Sequence, residues 1–233
     1  MAIEQNSFQQ TKVWIFDLDN TLYSAQCNLF AQVDQKMMEF IADYLDVSLP
    51  RARYLQKNYY RQYGTTLAGL MHVHKMAPEK FLDYVHNIDL SPVPEHPELA
   101  AEIEQLPGRK LIFTAGSRRH AENVAGKLGI LHLFEDIMDI VDTGFVPKEQ
   151  AEAYNTFLTR HNVPADQSAM FEDMPHNLVA PHDLGMTTVL VHSSYMDHPA
   201  QRGIPNWTKP PEHIHHMTND LCGFLSTIKL ERQ

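Results

Sequence analysis

Two carboxylates spaced two apart, Asp17 and Asp19, directly follow the apolar run at residues 13–16. Like charges this close repel each other, so the pair implies a bound cation or a shared proton. A carboxylate can attack phosphorus to form an acyl phosphate, and a second carboxyl can protonate the leaving oxygen. The pair therefore points to metal-assisted phosphoryl transfer, and the question is whether the chain supplies the other groups.

Three later segments supply groups of the right type. Thr114 ends an apolar run, Lys148 follows a proline, and Glu172 and Asp173 end another apolar run. A threonine hydroxyl with nearby backbone N–H groups can hold phosphate oxygens, and a lysine can balance the charge of the transition state. Carboxylates from two strands suit Mg²⁺, which prefers oxygen ligands.

Alternating strand and helix patterns would bring these groups together. The sequence predicts strands at residues 13–16, 110–114, 137–141, 168–171 and 187–191, with helices at 97–106, 118–128, 148–161 and 175–184. Each connection is long enough for a right-handed crossover, which predicts an α/β fold with a doubly wound, Rossmann-like parallel sheet. Because the carboxyl ends of parallel strands share one edge, the candidate groups are expected to converge there.

A second pattern interrupts the first immediately after the acidic pair. Apolar residues recur at helical spacing, and we predict helices starting near residues 29, 51, 67 and 78, without a strand among them. A proline-rich hinge follows at residues 91–97. The predicted organisation is a catalytic core at 1–21 and 93–233 with an inserted all-helical cap at 22–92. Residues 1–11 are predicted to be a frayed polar tail, 195–216 a loop, and 221–230 a closing helix.

Composition limits the class of protein. The 233 residues are 43% hydrophobic and carry a formal net charge of −10, which argues against a nucleic-acid partner but allows a small anionic substrate. No signal peptide and no apolar run of membrane-spanning length are visible, so we expect a cytoplasmic protein without a membrane partner. Cys27 and Cys222 are expected to be reduced thiols.

The motifs, in this order, resemble those of the haloacid dehalogenase superfamily of phosphatases. They read Asp-Leu-Asp-Asn-Thr from Asp17, Phe-Thr-Ala-Gly-Ser from Phe113, Pro-Lys from Pro147 and Phe-Glu-Asp-Met from Phe171. The resemblance covers residues 12–192. The helical block at 22–92 resembles the small helical cap of that superfamily.

The resemblance implies a role for each motif residue. Asp17 would be the nucleophile, and Asp19 the acid and base, with its backbone carbonyl on the metal. Thr114, with Ala115 beside it, would bind phosphate, and Lys148 would steady both phosphate and nucleophile. Asp17 and Asp173 would ligate Mg²⁺, as would Glu172 directly or through water. The hydrolytic dehalogenases lack a carboxylate at the position of Asp19, which disfavours dehalogenation.

A narrower resemblance is to the pyrimidine 5′-nucleotidase branch, which hydrolyses UMP and CMP. It rests on residues 61–70 of the block, followed by His72 and His74, and on residues 120–121 and 127–130 after the second motif. Tyr63 and Gly64 are candidate substrate contacts. The branch usually has Asn or a similar polar residue where Ala115 stands. Its fourth motif commonly reads Asp-Asp-Ser, where this chain has Glu172, Asp173 and a methionine.

The same residues are compatible with further functions. The site would also serve a phosphatase or mutase for phosphoglycolate or a sugar phosphate, and the fold would suit a catalytically silent binding or regulatory protein. Lys148 could simply pair with Glu152 on a helix surface, and Glu172 and Asp173 could favour a helix N-terminus. The histidines at 213, 215 and 216 are interpreted as a loop cluster rather than a metal site.

Overall fold

The computed structural model describes residues 8–193, 201 and 203–228 of the chain. Its strands are β1 (Val13–Phe16), β2 (Arg109–Phe113), β3 (Asp136–Met138), β4 (Ser168–Glu172), β5 (Thr187–Val191) and β6 (His216–Thr218). They form one sheet in the order β3-β2-β1-β4-β5-β6, and every neighbouring pair is parallel. The predicted fold class, a doubly wound parallel sheet, is confirmed.

The register of the three central strands sets the level of the site. Phe16, the last residue of β1, pairs with Ile112 of β2 and with Phe171 of β4. The residues that follow these strands therefore leave the sheet at one edge and at nearly one height. In open parallel sheets this edge is where ligands bind.

The helices of the sheet region are α5 (Pro97–Gln105), α6 (Arg118–Leu128), α7 (Ala151–His161), α8 (Val179–Asp183) and α9 (Leu221–Ser226). They cover both faces of the sheet, and alternate residues of the central strands therefore pack into two separate hydrophobic clusters. Trp14 and Phe16 belong to the cluster on one face, and Val13 and Ile15 to the cluster on the other. This explains why β1 is apolar at every position rather than at alternate ones.

The segment after the acidic motif forms four helices, α1 (Leu29–Tyr44), α2 (Leu49–Tyr63), α3 (Thr66–His74) and α4 (Pro78–Val85). We call these helices the helical block. The block has its own hydrophobic cluster, in which Ile41 and Leu70 are fully buried, and Ile140 of the sheet region packs into it. The all-helical character predicted for this segment is confirmed, whereas the exact domain limits at 22–92 stay a prediction. Within the described residues, no helix is both long and apolar enough to cross a bilayer.

Two predicted element bounds were wrong near the site. The helix predicted from Lys148 begins at Ala151 instead, because Lys148 lies in a turn that the Gln150 N–H closes onto the Pro147 carbonyl at 3.0 Å. The strand predicted to reach residue 141 ends at Met138. There the Asp139 carboxylate accepts hydrogen bonds from backbone N–H groups at 118, 141 and 142, and these bonds turn the chain.

Four further predictions also needed correction. The tail prediction is wrong at Phe8, which is 3% exposed and stacks on Trp14 with ring centroids 5.8 Å apart; residues 1–7 lie outside the described residues. Of the loop predicted at 195–216, residues 195–200 and 202 lie outside the described residues. Its last residue, His216, begins β6, a three-residue edge strand too short for any periodicity to reveal. The closing helix α9 ends at Ser226, and residues 229–230 lie outside the described part. The helix predicted over 175–184 begins as a 3₁₀ turn, Pro175–Leu178.

Candidate active site

Backbone hydrogen bonds between neighbouring strands continue one residue beyond the strand ends, and they fix the positions of the first motif residues. The Asp17 N–H donates to the Phe171 carbonyl at 2.9 Å, and the Thr114 N–H donates to the Met138 carbonyl at 3.0 Å. Asp17 and Thr114 are therefore the first residues past the ends of neighbouring strands. Both side chains are buried, with 5% and 1% of each residue exposed.

Lys148 joins three of these strand ends. Its Nζ donates to Asp17 Oδ1 at 2.5 Å, to Glu172 Oε2 at 2.7 Å and to the Phe113 carbonyl at 3.0 Å. All three donors of the ammonium group are thus used in a site from which solvent is nearly excluded. Burial alone would lower the pKa of Lys148, but the charges of Asp17 and Glu172 outweigh it and raise that pKa, so the ammonium stays charged.

The Asp17 carboxylate is held from both sides. Lys148 binds Oδ1, and the Thr21 hydroxyl donates to Oδ2 at 3.1 Å. Burial and the charge of Glu172 raise the pKa of Asp17 to about 7, although Lys148 opposes the shift. The two donors orient this carboxylate toward an electrophile, and a cation that favours its ionised form would make it a nucleophile.

Three carboxylates crowd the centre of the site. Asp17, Glu172 and Asp173 each offer an oxygen atom within 4.8 Å of the oxygens of the other two. Burial and the neighbouring acids raise the pKa of Asp173 well above its usual range. Three negative charges against the single positive charge of Lys148 leave two in excess, which a divalent cation would balance. The all-oxygen donor set suits Mg²⁺, so these residues fit a magnesium ion.

Asp173 is also tied to its surroundings. Its Oδ2 accepts from Asn20 Nδ2 at 3.4 Å, and its backbone carbonyl accepts from Gln201 Nε2 at 2.8 Å. Asn20 has a φ of 60°, the left-handed conformation that Asn tolerates well, and it turns the chain between the two aspartates and the helical block.

Asp19 lies in a different environment from Asp17. Its Oδ1 accepts from the Tyr23 hydroxyl at 2.7 Å and from His120 Nε2 at 2.8 Å. Burial would raise the pKa of Asp19, but the charge and hydrogen bond of His120 and the hydrogen bond of Tyr23 outweigh it and lower that pKa to about 2. The pKa values of two carboxylates that stand two residues apart are therefore shifted in opposite directions by their surroundings.

The second motif forms a turn between β2 and α6. Thr114 Oγ1 accepts from the Gly116 N–H at 2.9 Å, and Ser117 caps α6 by accepting from the His120 N–H at 3.4 Å. Ala115, between them, is exposed. The turn thus precedes a helix N-terminus beside Asp17, where backbone N–H groups favour an anion.

The end of α2 lies on the loop that carries Lys148. Gly64 has a φ of 79° and closes α2, and a Cβ atom built on it would stand 2.8 Å from Pro147 Cγ. Tyr63, the other residue predicted to contact substrate, packs its ring against Tyr59 and His72 of the block. The predicted substrate contact of Tyr63 and Gly64 stays a prediction.

Sequence reasoning missed several residues around the site. His120 enters the sequence argument only through a resemblance, and the motifs predict no role for Tyr23 or Asn20. Tyr60 is a further missed residue: its hydroxyl lies 3.4 Å from His176 Nε2, and burial together with Glu149 raises the pKa of Tyr60 to about 12. The available signal was spacing, because Tyr23 stands four residues after Asp19, and His120 stands on the first turn of the helix that follows the Thr114 motif.

Comparison with known proteins places the chain in a family. The sequence model for haloacid dehalogenase-like hydrolases matches residues 11–185. This match covers well over half of the chain and includes all four motifs, so the chain belongs to the haloacid dehalogenase-like hydrolase family.

Individual relatives are distant. The chain is 26% identical over 197 residues to Phosphate metabolism protein 8 of Saccharomyces cerevisiae, and the match covers 77% of this chain. It spans only 61% of the length of that yeast protein, less than two thirds.

Among solved structures, the fold is similar to that of a HAD phosphatase from Thermococcus onnurineus. The TM-score is 0.62 at 14% identity, over 96% of this chain and 100% of the other. It is also similar to the L-2-haloacid dehalogenase from Xanthobacter autotrophicus, with a TM-score of 0.57 at 13% identity, over 94% and 98% of the two chains. At these identities the likeness concerns the fold alone.

Proposed function

We propose that this protein is a Mg²⁺-dependent phosphatase that acts through an aspartyl-phosphate on Asp17, with pyrimidine nucleoside 5′-monophosphates as substrates. The observation that carries the proposal is the buried bridge from Lys148 Nζ to Asp17 Oδ1 and Glu172 Oε2. It joins a candidate nucleophile, a fixed positive charge and the acidic cluster at one sheet edge.

In the first step, a carboxylate oxygen of Asp17 attacks phosphorus and the bond to the ester oxygen breaks. The departing alcohol takes its proton from Asp19, and Lys148 stabilises the negative charge on the phosphoryl group. Thr114 and the N–H groups of its turn would hold the phosphoryl oxygens. The negative charge of the substrate raises the pKa of Asp19 on binding, which favours its proton-donating form.

In the second step, Asp19 takes a proton from water, and this water attacks phosphorus. The acyl–phosphate bond breaks, inorganic phosphate leaves and the Asp17 carboxylate is restored. Asp17, Asp173 and Glu172 would hold Mg²⁺, with the Asp19 backbone carbonyl as a further ligand. When bound, this ion neutralises phosphate charge and orients the substrate.

The choice between phosphatase and dehalogenase rests on Asp19. Proteins of similar fold include both a phosphatase and a dehalogenase by name. A phosphatase needs a proton donor for the ester oxygen, whereas halide leaves without one. Because Asp19 is present and held by two donors, the site favours phosphate ester hydrolysis.

The nucleotide is the narrower part of the proposal. It rests on the resemblance of residues 61–70, 120–121 and 127–130 to the pyrimidine nucleotidase branch. It also rests on Gly64 of the helical block, which lies against Pro147 beside the reacting centre. In this proposal the block at 22–92 is a cap that selects the substrate. The name of the yeast relative is consistent with phosphate chemistry in general.

The test is phosphate release from UMP, CMP, AMP, phosphoglycolate and a hexose phosphate, with and without Mg²⁺. We expect UMP and CMP to be the best substrates, and a strong preference for another ester would refute the nucleotide assignment. Asp17→Asn is expected to lower turnover by about three orders of magnitude or more while the protein stays folded. Undiminished turnover by this variant would refute the mechanism.

A further inference from the structure

The Asp19 carboxylate is fixed by two side chains from outside its own motif. The Tyr23 hydroxyl and His120 Nε2 both donate to Oδ1, at 2.7 and 2.8 Å. Rotation of the carboxylate would break both of these hydrogen bonds. Among the described residues, both of these hydrogen bonds are accepted by Oδ1, so Oδ2 is the oxygen suited to exchange a proton with substrate and water.

His120 is itself held by a residue of the helical block. The side chain of His120 is 1% exposed, and its ring stacks on His86 with centroids 4.5 Å apart and planes 16° apart. His86 is the C-cap residue of α4, the last helix of the block, and its Nδ1 lies 3.0 Å from Oγ of Ser117, the N-cap residue of α6. A residue of the block therefore contacts both the start of α6 and the ring that binds Asp19.

The turn of the second motif is shaped around these two rings. A Cβ atom built on Gly116 would lie 3.1 Å from His120 Cδ2 and 3.5 Å from His86 Nε2. Glycine is thus the residue that lets the two rings approach the turn closely. The two stacked rings, their hydrogen bonds and the glycine at 116 together form one packed unit beside Asp19.

We propose that His120 is the positioning residue of Asp19, and that its stack on His86 makes proton donation to the leaving oxygen depend on how the helical block sits on the core. The proposal rests on the proposed function, in which Asp19 gives its proton to the ester oxygen as the oxygen–phosphorus bond breaks. His120 acts only through Asp19, and His86 only through His120.

The test compares two leaving groups in His120→Phe, which keeps a ring for the stack and removes the donor. An alkyl phosphate such as UMP needs protonation of its leaving oxygen, whereas 4-nitrophenyl phosphate needs little. We expect kcat/KM to fall about 100-fold for the alkyl ester and less than about threefold for the aryl ester. The ratio kcat/KM depends only on the steps up to and including the first phosphoryl transfer. A slow hydrolysis of the aspartyl-phosphate therefore does not mask the effect.

Two further variants separate positioning from packing. His120→Gln can place an amide donor near the position of the lost Nε2. Its kcat/KM for the alkyl ester is expected to be at least tenfold higher than that of His120→Phe, because the amide would again orient the Asp19 carboxylate. The matched control is His161→Phe, because His161 is also buried, with Nε2 3.0 Å from Asp136 and its ring against Phe157. Its effect on kcat/KM is expected to be the same for both esters.

The link to the block is tested at His86. His86→Phe keeps the stack, whereas His86→Ala removes it, so only the alanine variant is expected to show the selective loss for the alkyl ester, by about tenfold. Tyr23→Phe removes the second donor to Oδ1 and is likewise expected to lower kcat/KM selectively for the alkyl ester.

The outcomes distinguish this inference from the function it rests on. Equal losses for both esters in His120→Phe, or in His120→Gln if the first does not fold, would overturn the positioning role of His120 while leaving the phosphatase intact. Equal behaviour of His86→Ala and His86→Phe would overturn the link to the block. A wild-type protein that releases no phosphate from any ester, with or without Mg²⁺, would overturn the proposed function and this inference together.

Discussion

At the scale of single residues, two aspartates of the site differ in their surroundings and therefore in their pKa values. Asp17 shares a buried space with two other acids, and Asp19 faces a histidine and a tyrosine. Their pKa values move apart, to about 7 and to about 2. The first environment makes an ion costly and the second makes it favourable, although the two residues are separated by only one leucine.

The crowding around Asp17 predicts a conflict between stability and activity. Because burial and Glu172 raise its pKa from 3.8 to about 7, the folded protein binds this proton more tightly than the unfolded chain. The stability that this group contributes is therefore lost as pH rises through that window. Asp17→Asn cannot ionise, so in metal-free protein it is expected to be more stable than wild type near pH 8, by about 0.5–2 kcal/mol.

Urea unfolding in the presence of a chelator, at several pH values between 4 and 8, measures this difference. The advantage of Asp17→Asn should be small at pH 4 and grow toward pH 8. A variant that is less stable than wild type at pH 8 would show that the bond from Lys148 to Asp17 outweighs the repulsion.

At the scale of elements, the helical block and the sheet meet where α2 ends. Gly64 closes that helix over Pro147, immediately before Lys148, and it does so in a backbone conformation that favours glycine. The position of the block on the core therefore depends on a contact that any side chain would obstruct.

Gly64→Ala is expected to lower stability by more than the roughly 1–2 kcal/mol that left-handed strain alone costs, because its Cβ would meet Pro147 Cγ at 2.8 Å. It is also expected to raise KM, since the block would be pushed away from the Lys148 loop. Gly129→Ala is the matched control: Gly129 also ends a helix, with a φ of 78°, but no atom lies within 4 Å of its built Cβ.

Thermal unfolding and steady-state kinetics on both alanine variants give the comparison. We expect Gly129→Ala to lose stability by the strain alone and to keep its KM. Equal losses of stability in the two variants, with KM unchanged in both, would show that the Pro147 contact does not position the block.

At the scale of the whole molecule, the fold gathers excess negative charge in one buried place. The chain carries a formal net charge of −10, and three of its carboxylates stand within 4.8 Å of one another in the interior. The sheet holds them there because Glu172 ends β4, Asp173 follows it and Asp17 follows β1. A cation that binds the folded site would therefore stabilise the molecule as a whole.

Mg²⁺ is expected to raise the melting temperature of the wild-type protein, corresponding to about 2.7 kcal/mol at 100 times its dissociation constant. Asp173→Asn is expected to lose this response. Asp166→Asn, which alters an exposed acid at the other end of β4, is expected to keep it. The measurement is differential scanning calorimetry with Mg²⁺, compared with NaCl at the same ionic strength. A wild-type melting temperature that does not change with Mg²⁺ would contradict the proposed magnesium site.

The sequence by itself determined the parallel sheet, its central strands and the helical character of the inserted block. These features follow from local patterns: runs of apolar residues for strands buried on both faces, and helical spacing for the block. The common edge for Asp17, Thr114 and Glu172 followed too, because a parallel sheet places all its carboxyl ends together. What failed were short or side-chain-directed features, such as the end of β3 at Asp139 and the strand β6.

Only the tertiary structure decided which side chains form hydrogen bonds to each carboxylate. Nothing local pairs Asp19 with His120, which stands 101 residues further along the chain, or places His86 of the block on that ring. Such partners are chosen by packing, because a buried polar group must find its hydrogen bonds wherever the fold brings donors close. The sequence thus indicated the chemistry through residue types and spacing, and folding determined the geometry by bringing distant segments into contact.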